Sequence, residues 1–93
     1  MIVSFRDKDT EVLFRTGKNK RLPPDLIKRA LRLLDRVDEA HAVKDLRIPP
    51  SNRLEKLKGK TPERWSIRVN KQYRITFVWT GPNAEDVAFE DYH

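Results

Sequence analysis

Between Arg53 and Arg74 the chain carries Arg53, Lys56, Lys58, Lys60, Arg64, Arg68, Lys71 and Arg74 against only Glu55 and Glu63. The surplus of this stretch equals the +6 charge of the whole chain, because acidic and basic residues balance everywhere else. Positive charge gathered on so few residues suits a polyanion, and nucleic acid is the commonest one. The chain closes on Asp91-Tyr92-His93. A basic surface ending near a tyrosine and a histidine has the parts to cleave RNA without a metal. In that reaction the ribose 2′-hydroxyl attacks the adjacent phosphorus. The site must remove its proton, neutralise the non-bridging oxygens and protonate the departing 5′-oxygen. Lys58 and Arg74 suit the neutralisation, since fixed cations aimed at developing charge contribute several kcal/mol in a partly dehydrated site. Histidine suits the proton transfers because its unperturbed pKa of about 6.5 lies near working pH.

The elements that must position these groups follow from patterning. Arg64-Trp65-Ser66-Ile67-Arg68-Val69-Asn70 and Tyr73-Arg74-Ile75-Thr76-Phe77-Val78-Trp79 alternate polar and apolar side chains, which predicts two strands joined by a tight Asn70-Lys71-Gln72 connection. Such alternation buries one face of an antiparallel sheet and leaves the other for solvent or ligand. Trp65 and Trp79 fall on the apolar face and read as core rather than as platforms for stacked bases. Arg53 to Gly59 predicts a shorter strand, and Asp86 to His93 a last one. Ile2-Val3-Ser4-Phe5 predicts a first strand. Asp7-Lys8-Asp9-Thr10 offers oxygens to cap a helix carrying Val12, Leu13 and Phe14, and Gly17 ends it. Pro23-Pro24-Asp25 opens a second helix, whose stripe of Leu26, Ile27, Ala30, Leu31, Leu33, Leu34 and Val37 should lie on the sheet. A further helical turn over Ala40 to Leu46 and a rigid connector, Ile48-Pro49-Pro50-Ser51-Asn52, complete the chain. The expected architecture is α+β, with two or three helices on one side of a small, mostly antiparallel sheet.

Composition excludes several classes. The 93 residues fit a single domain, 1–93. Without cysteine there are no disulfides, thiolate nucleophiles or cysteine-ligated zinc, and a reducing compartment is compatible. No apolar run approaches the roughly 18 to 20 residues of a membrane span, and Met1 to Arg6 lacks the features of a signal peptide, so the expected location is cytoplasmic. Glu85, Asp86, Glu90 and Asp91 form the dense acidic group, but neighbours in a strand point to opposite faces, so neither a metal nor another cofactor is expected. Gly-rich phosphate loops are absent.

Arg53-Leu54-x-x-Leu57-Lys58-Gly59, Trp65-Ser66-Ile67-Arg68-Val69-Asn70, Tyr73-Arg74-Ile75-Thr76-Phe77 and the closing Asp91-Tyr92-His93 together resemble the HigB toxins of the RelE-like superfamily of bacterial toxin–antitoxin modules, most closely their GraT branch. The likeness extends to Met1-Ile2-x-Ser4-Phe5 and Leu13-Phe14-x-x-Gly17. It implies a RelE-like microbial RNase fold and a metal-independent mRNA endoribonuclease that acts in the ribosomal A site and inhibits translation and growth. Its implied partner is a HigA-like helix-turn-helix antitoxin, through which alone it would reach operator DNA. Lys58 and Arg74 match positions that hold and stabilise the phosphate, and Asp91, Tyr92 and His93 match the group implicated in activity. Arg53, Lys56, Lys60, Arg64, Arg68 and Lys71 are the expected RNA-binding residues. Some relatives carry histidine where this chain has Glu55, which opens the identity of the general base. The alternatives are a noncatalytic RNA- or ribosome-binding module, and a degenerate toxin acting mainly through its antitoxin complex.

Overall fold

A computed structural model describes residues 1–59 and 62–91. Helix α1 spans Lys8–Thr16, and Asp7 accepts the Thr10 amide on Oδ2 at 3.1 Å and the Thr10 hydroxyl on Oδ1 at 2.6 Å. The same hydroxyl oxygen accepts the amide of Phe89 at 3.0 Å, so the cap also ties the helix to the sheet. Gly17 ends the helix in the left-handed region (φ 73°), its amide donating to the Leu13 carbonyl at 2.8 Å. Replacing Asp7 by alanine removes one cap acceptor, worth about 1 kcal/mol. The melting temperature should fall by roughly 4–8 °C, measured by calorimetry. A smaller shift would mean that Thr10 holds the turn without it.

Helix α2, Pro24–Glu39, buries Ala30, Leu33, Leu34 and Val37. These pack with Leu13 of α1 and with Ile67, Val69, Ile75, Phe77 and Val87 of the sheet and the β2–β3 hairpin as one core. The expected turn after α2 is a 3₁₀ turn, Val43–Arg47, whose entry is fixed by Asp45 Oδ2 accepting the amides of His41 and Ala42. A second short 3₁₀ turn, Pro50–Asn52, follows, and buried Asn52 donates to the carbonyls of Leu46 and Ile48. The connector is therefore held by a side chain as well as by its prolines.

Four strands, β1 (Glu55–Leu57), β2 (Arg64–Arg68), β3 (Tyr73–Thr80) and β4 (Asn83–Asp91), form an antiparallel meander in chain order. The helices cover one face, as an α+β sandwich requires. Asn70 shapes the β2–β3 connection by accepting the amides of Gln72 and Tyr73 on Oδ1. Three expectations change. The stretch Ile2–Phe5 is not a full strand but makes isolated parallel bridges to Ala84 and Val87. The interruption follows from a β-bulge in β4, where Asp86 and Val87 stand against Phe77 alone and the Asp86 amide donates to the Ser4 hydroxyl oxygen instead of to a backbone carbonyl. The last strand begins at Asn83, not Asp86, because Thr80 and Asn83 pair across the two-residue turn Gly81-Pro82.

The third change matters most for function. The sheet face away from the helices is not open: Arg64, Ser66, Arg74 and Thr76 are all at most 9% exposed. Their polar groups find partners in one another and in the flanking segments, so this face is a hydrogen-bonded floor. Trp65 and Trp79 pack at the margin of the core, Trp79 edge-on to Phe77 and Trp65 beneath the Lys56 ammonium at 5.7 Å.

Candidate active site

Strand pairing places Glu55 beside Ser66, Ser66 beside Thr76, Arg68 beside Arg74, and Arg74 beside Glu90. Directly opposite residues share a face, so these side chains all stand on the floor away from the helices. Lys58 reaches the same side from the turn after β1, where Gly59 adopts φ 76° and reverses the chain. The result is a groove of about 380 Å³ lined by Arg6, Lys58, Arg64, Thr76, Glu90 and Asp91, with Leu57 as its apolar edge.

Beneath the groove runs a closed ring of polar contacts. Arg64 donates from Nη1 to Asp86 Oδ2 at 2.7 Å, and from Nη2 to the Asp86 carbonyl and to Thr76 Oγ1, each at 2.9 Å. The Thr76 hydroxyl donates to Glu90 Oε2. Arg6 closes the ring, with Nη1 3.4 Å from Glu90 Oε1 and Nε 3.4 Å from Asp86 Oδ2. Asp86 offers one carboxylate oxygen and its carbonyl to Arg64 from the bulge, where it adopts the left-handed conformation (φ 54°), which aspartate tolerates better than bulkier residues. Burial, then the nearby Arg6 charge, pushes the Arg64 guanidinium downward from its ordinary value, while Asp86 pulls it back up. It stays charged, since arginine does not lose its proton in proteins.

Arg74 occupies the inner end of this floor. Its Nη1 donates to Ser66 Oγ at 3.2 Å and its Nη2 lies 3.7 Å from Glu55 Oε1, so the guanidinium is fixed in place before any ligand arrives. Lys58 is exposed at the rim and forms no ion pair with a described residue. The two cations differ in kind: one is a rigid planar fork, the other a mobile point charge.

The remaining sequence-derived candidates separate. Asp91 borders the groove, but its register partner is Tyr73, on the helix side, and its Oδ2 accepts from Gln72 Nε2 at 3.1 Å. It stands where the two faces meet. Tyr92, His93 and Lys60 lie outside the described residues. Lys56 is on the helix face, paired with Glu63 at 2.9 Å and set over Trp65. Arg64 is buried in the ring instead of exposed to a ligand. Arg53, Arg68 and Lys71 line a different depression at the hairpin end. Sequence reasoning missed Arg6, Thr76 and Glu90 in the groove. The only available signal was parity: Glu90, two residues past Ala88, shares a face with Arg74 if β4 is paired in this register.

A model of the RelE-like toxins of type II toxin–antitoxin systems, HigB, matches residues 3–93. The chain belongs to this HigB-like toxin family. Toxin HigB-1 of Vibrio cholerae serotype O1 is 49% identical over 80 residues, covering 85% of this chain and 84% of that protein. Endoribonuclease HigB of Proteus vulgaris is 33% identical over 93 residues, the full length of both. An uncharacterised protein of Haemophilus influenzae is 39% identical over 76 residues, 81% of this chain and 75% of that one. A HigB-like toxin is one half of a type II pair, so an antitoxin is its partner. The two helices on a four-stranded antiparallel sheet are the RelE-like arrangement expected from the sequence.

Proposed function

We propose that this HigB-like toxin is a metal-independent endoribonuclease that cleaves translated mRNA in the ribosomal A site. The observation that supports the reading is that Lys58 and Asp91 border one groove, and that Arg74 stands on the same sheet face directly opposite Glu90, which lines it. The 2′-oxygen bonds to phosphorus as the bond from phosphorus to the 5′-oxygen breaks, leaving a 2′,3′-cyclic phosphate and a 5′-hydroxyl. Arg74 and Lys58 neutralise the non-bridging oxygens, whose charge grows as the fifth bond forms. Asp91, Tyr92 and His93 serve the proton transfers at the attacking and leaving oxygens, and Glu55, beside Arg74, is the rival base. No helix among the described residues is long and apolar enough to cross a membrane, in keeping with a cytoplasmic site of action. The antitoxin would be a HigA-like helix-turn-helix protein that represses the shared operon and carries the toxin to operator DNA.

Removing Tyr92 and His93 tests the assignment. Growth inhibition on induction, and cleavage of a translated message mapped by primer extension, should fall at least tenfold, since a positioned proton-transfer group contributes about 10²–10⁴ and neighbouring groups replace part of it. The melting temperature should stay within a few degrees. A folded, truncated protein that cleaves as well as the full chain would show that these residues are not the site.

A further inference from the structure

Of the seven described cations of the basic run, five do not reach the groove floor as ligand-facing groups, and three of those five converge elsewhere. Arg53, Arg68 and Lys71 line a depression of about 370 Å³ beside the β2–β3 connection, together with Asn70, Ser51 and Arg29 of α2. A second depression of about 230 Å³ shares Arg29 and Ser51 with it and adds Arg32 and Arg36. The two form one furrow between the flank of α2 and the hairpin. Arg29, Arg32 and Arg36 recur at three- and four-residue spacing, one stripe of the helix beside the buried stripe of Ala30, Leu33 and Val37. All three are exposed, as are Arg53 and Lys71. Among the described residues no carboxylate lines either depression, and none of these six cations forms an ion pair. Elsewhere on this molecule exposed cations do pair, as in Arg21 with Asp9 and Arg15 with Glu11. Six like charges left together raise the energy of the folded chain unless an anion offsets them.

The furrow and the cleavage groove are related through the sheet register, Arg68 of the one and Glu90 of the other both standing opposite Arg74. Arg68 stands directly opposite Arg74 across the β2–β3 pair, and Arg64 lies four residues back along the same strand, about 13 Å at 3.3 Å per residue. A strand leaving the groove past Arg74 therefore meets Arg68 first and the α2 stripe next. We infer that this furrow is a second, noncatalytic site for the phosphodiester backbone of RNA, holding the strand that flanks the scissile bond. The inference rests on the nuclease reading for the direction of the strand, but not for the binding itself. Guanidinium forks match phosphate oxygens two at a time, and Ser51 and Asn70 add neutral hydrogen-bonding groups. A protein partner would instead be expected to meet an apolar or aromatic centre, and the apolar lining of the furrow is limited to Leu33 and Pro49.

The experiment is a length series with labelled 2′-O-methyl oligonucleotides, which lack the attacking hydroxyl, of about 3 and about 12 nucleotides, measured by fluorescence anisotropy at several salt concentrations. The long oligonucleotide should bind the full chain at least tenfold more tightly than the short one. In the triple variant Arg29→Ala, Arg32→Ala, Arg36→Ala most of that gain should vanish, and the slope of log K against log salt should shrink by about 2, near 0.7 for each lost phosphate contact. Arg74→Ala should keep the length gain. The inference is overturned if the gain survives the triple substitution, if the full chain shows no gain, or if the variant loses its antitoxin while its RNA binding is intact. A second triple variant with lysine at the three positions should recover much of the slope, which separates lost charge from a disturbed helix. Failure of the nuclease reading would appear differently, as absent cleavage products with the length dependence unchanged.

Discussion

Arg74→Ala should lower the rate of message cleavage by about 10²–10³ while the protein stays folded, the effect seen when one preorganised donor to a developing oxyanion is deleted. Only 9% of this residue is exposed, and its two terminal nitrogens are already engaged by Ser66 and Glu55. Such a cation needs little rearrangement to meet the extra charge of the five-coordinate phosphorus, and the loss corresponds to about 2.7–4 kcal/mol of barrier. Ser66 Oγ would lose one hydrogen bond, worth about 1 kcal/mol, so stability should fall modestly. Arg74→Lys should recover part of the rate, because charge is kept while the two-pronged geometry is lost. Single-turnover cleavage alongside RNA binding separates the roles. A rate loss without a matching affinity loss places Arg74 in the transition state; equal losses make it a docking charge.

Replacing Arg64 by methionine should destabilise the fold by about 2–3 kcal/mol, roughly 10–20 °C in melting temperature for a domain of this size. Removing one partner of a fully buried ion pair costs about 3–5 kcal/mol, because the other charge is stranded. Here the loss is smaller: Asp86 is 46% exposed at its side chain and keeps Arg6 at 3.4 Å, and Thr76 keeps its bond to Glu90. Arg64 also carries its own cost, since its buried Nε has no partner among the described residues. What the substitution removes is the clamp on the bulge, as three of the ring's bonds come from Arg64. Urea titration should show a lower midpoint with an unchanged slope. Arg6→Ala, at the exposed rim of the same ring, should cost less than about 1 kcal/mol. Should Arg64→Met prove as stable as the parent, the ring would be a consequence of the bulge and not what holds it.

Both results depend on features with unequal traces in the sequence. The helices were legible because their signals are local: Asp7 and Gly17 lie one residue outside α1, and the apolar stripe of α2 repeats within sixteen residues. The two central strands were legible for the same reason, since alternation assigns each side chain to a face without knowledge of the neighbouring strand. The basic run and the closing Asp91-Tyr92-His93 likewise announced the class of chemistry from residue types alone.

The structure had to decide which of those residues meet. Lys56 and Lys58 are two apart, yet pairing of Lys56 with Trp65 puts its ammonium over a ring on the helix face, while Lys58 turns with Gly59 into the groove. Arg64 and Arg68 share a face of β2, yet the first is buried at the groove and the second opens onto the α2 furrow, because Asp86 of the β4 bulge holds the Arg64 guanidinium while Arg68 turns back to the Asn70 carbonyl at the hairpin. Arg6 reaches Asp86 and Glu90 across some eighty residues of chain, through bridges to a bulge that no local periodicity encodes. Sequence thus determined the elements, their faces and the total charge, which are properties of short windows of residues. Tertiary structure alone divided that charge between a ring, a groove and a furrow, because register and bulge are set by packing between segments far apart in the chain.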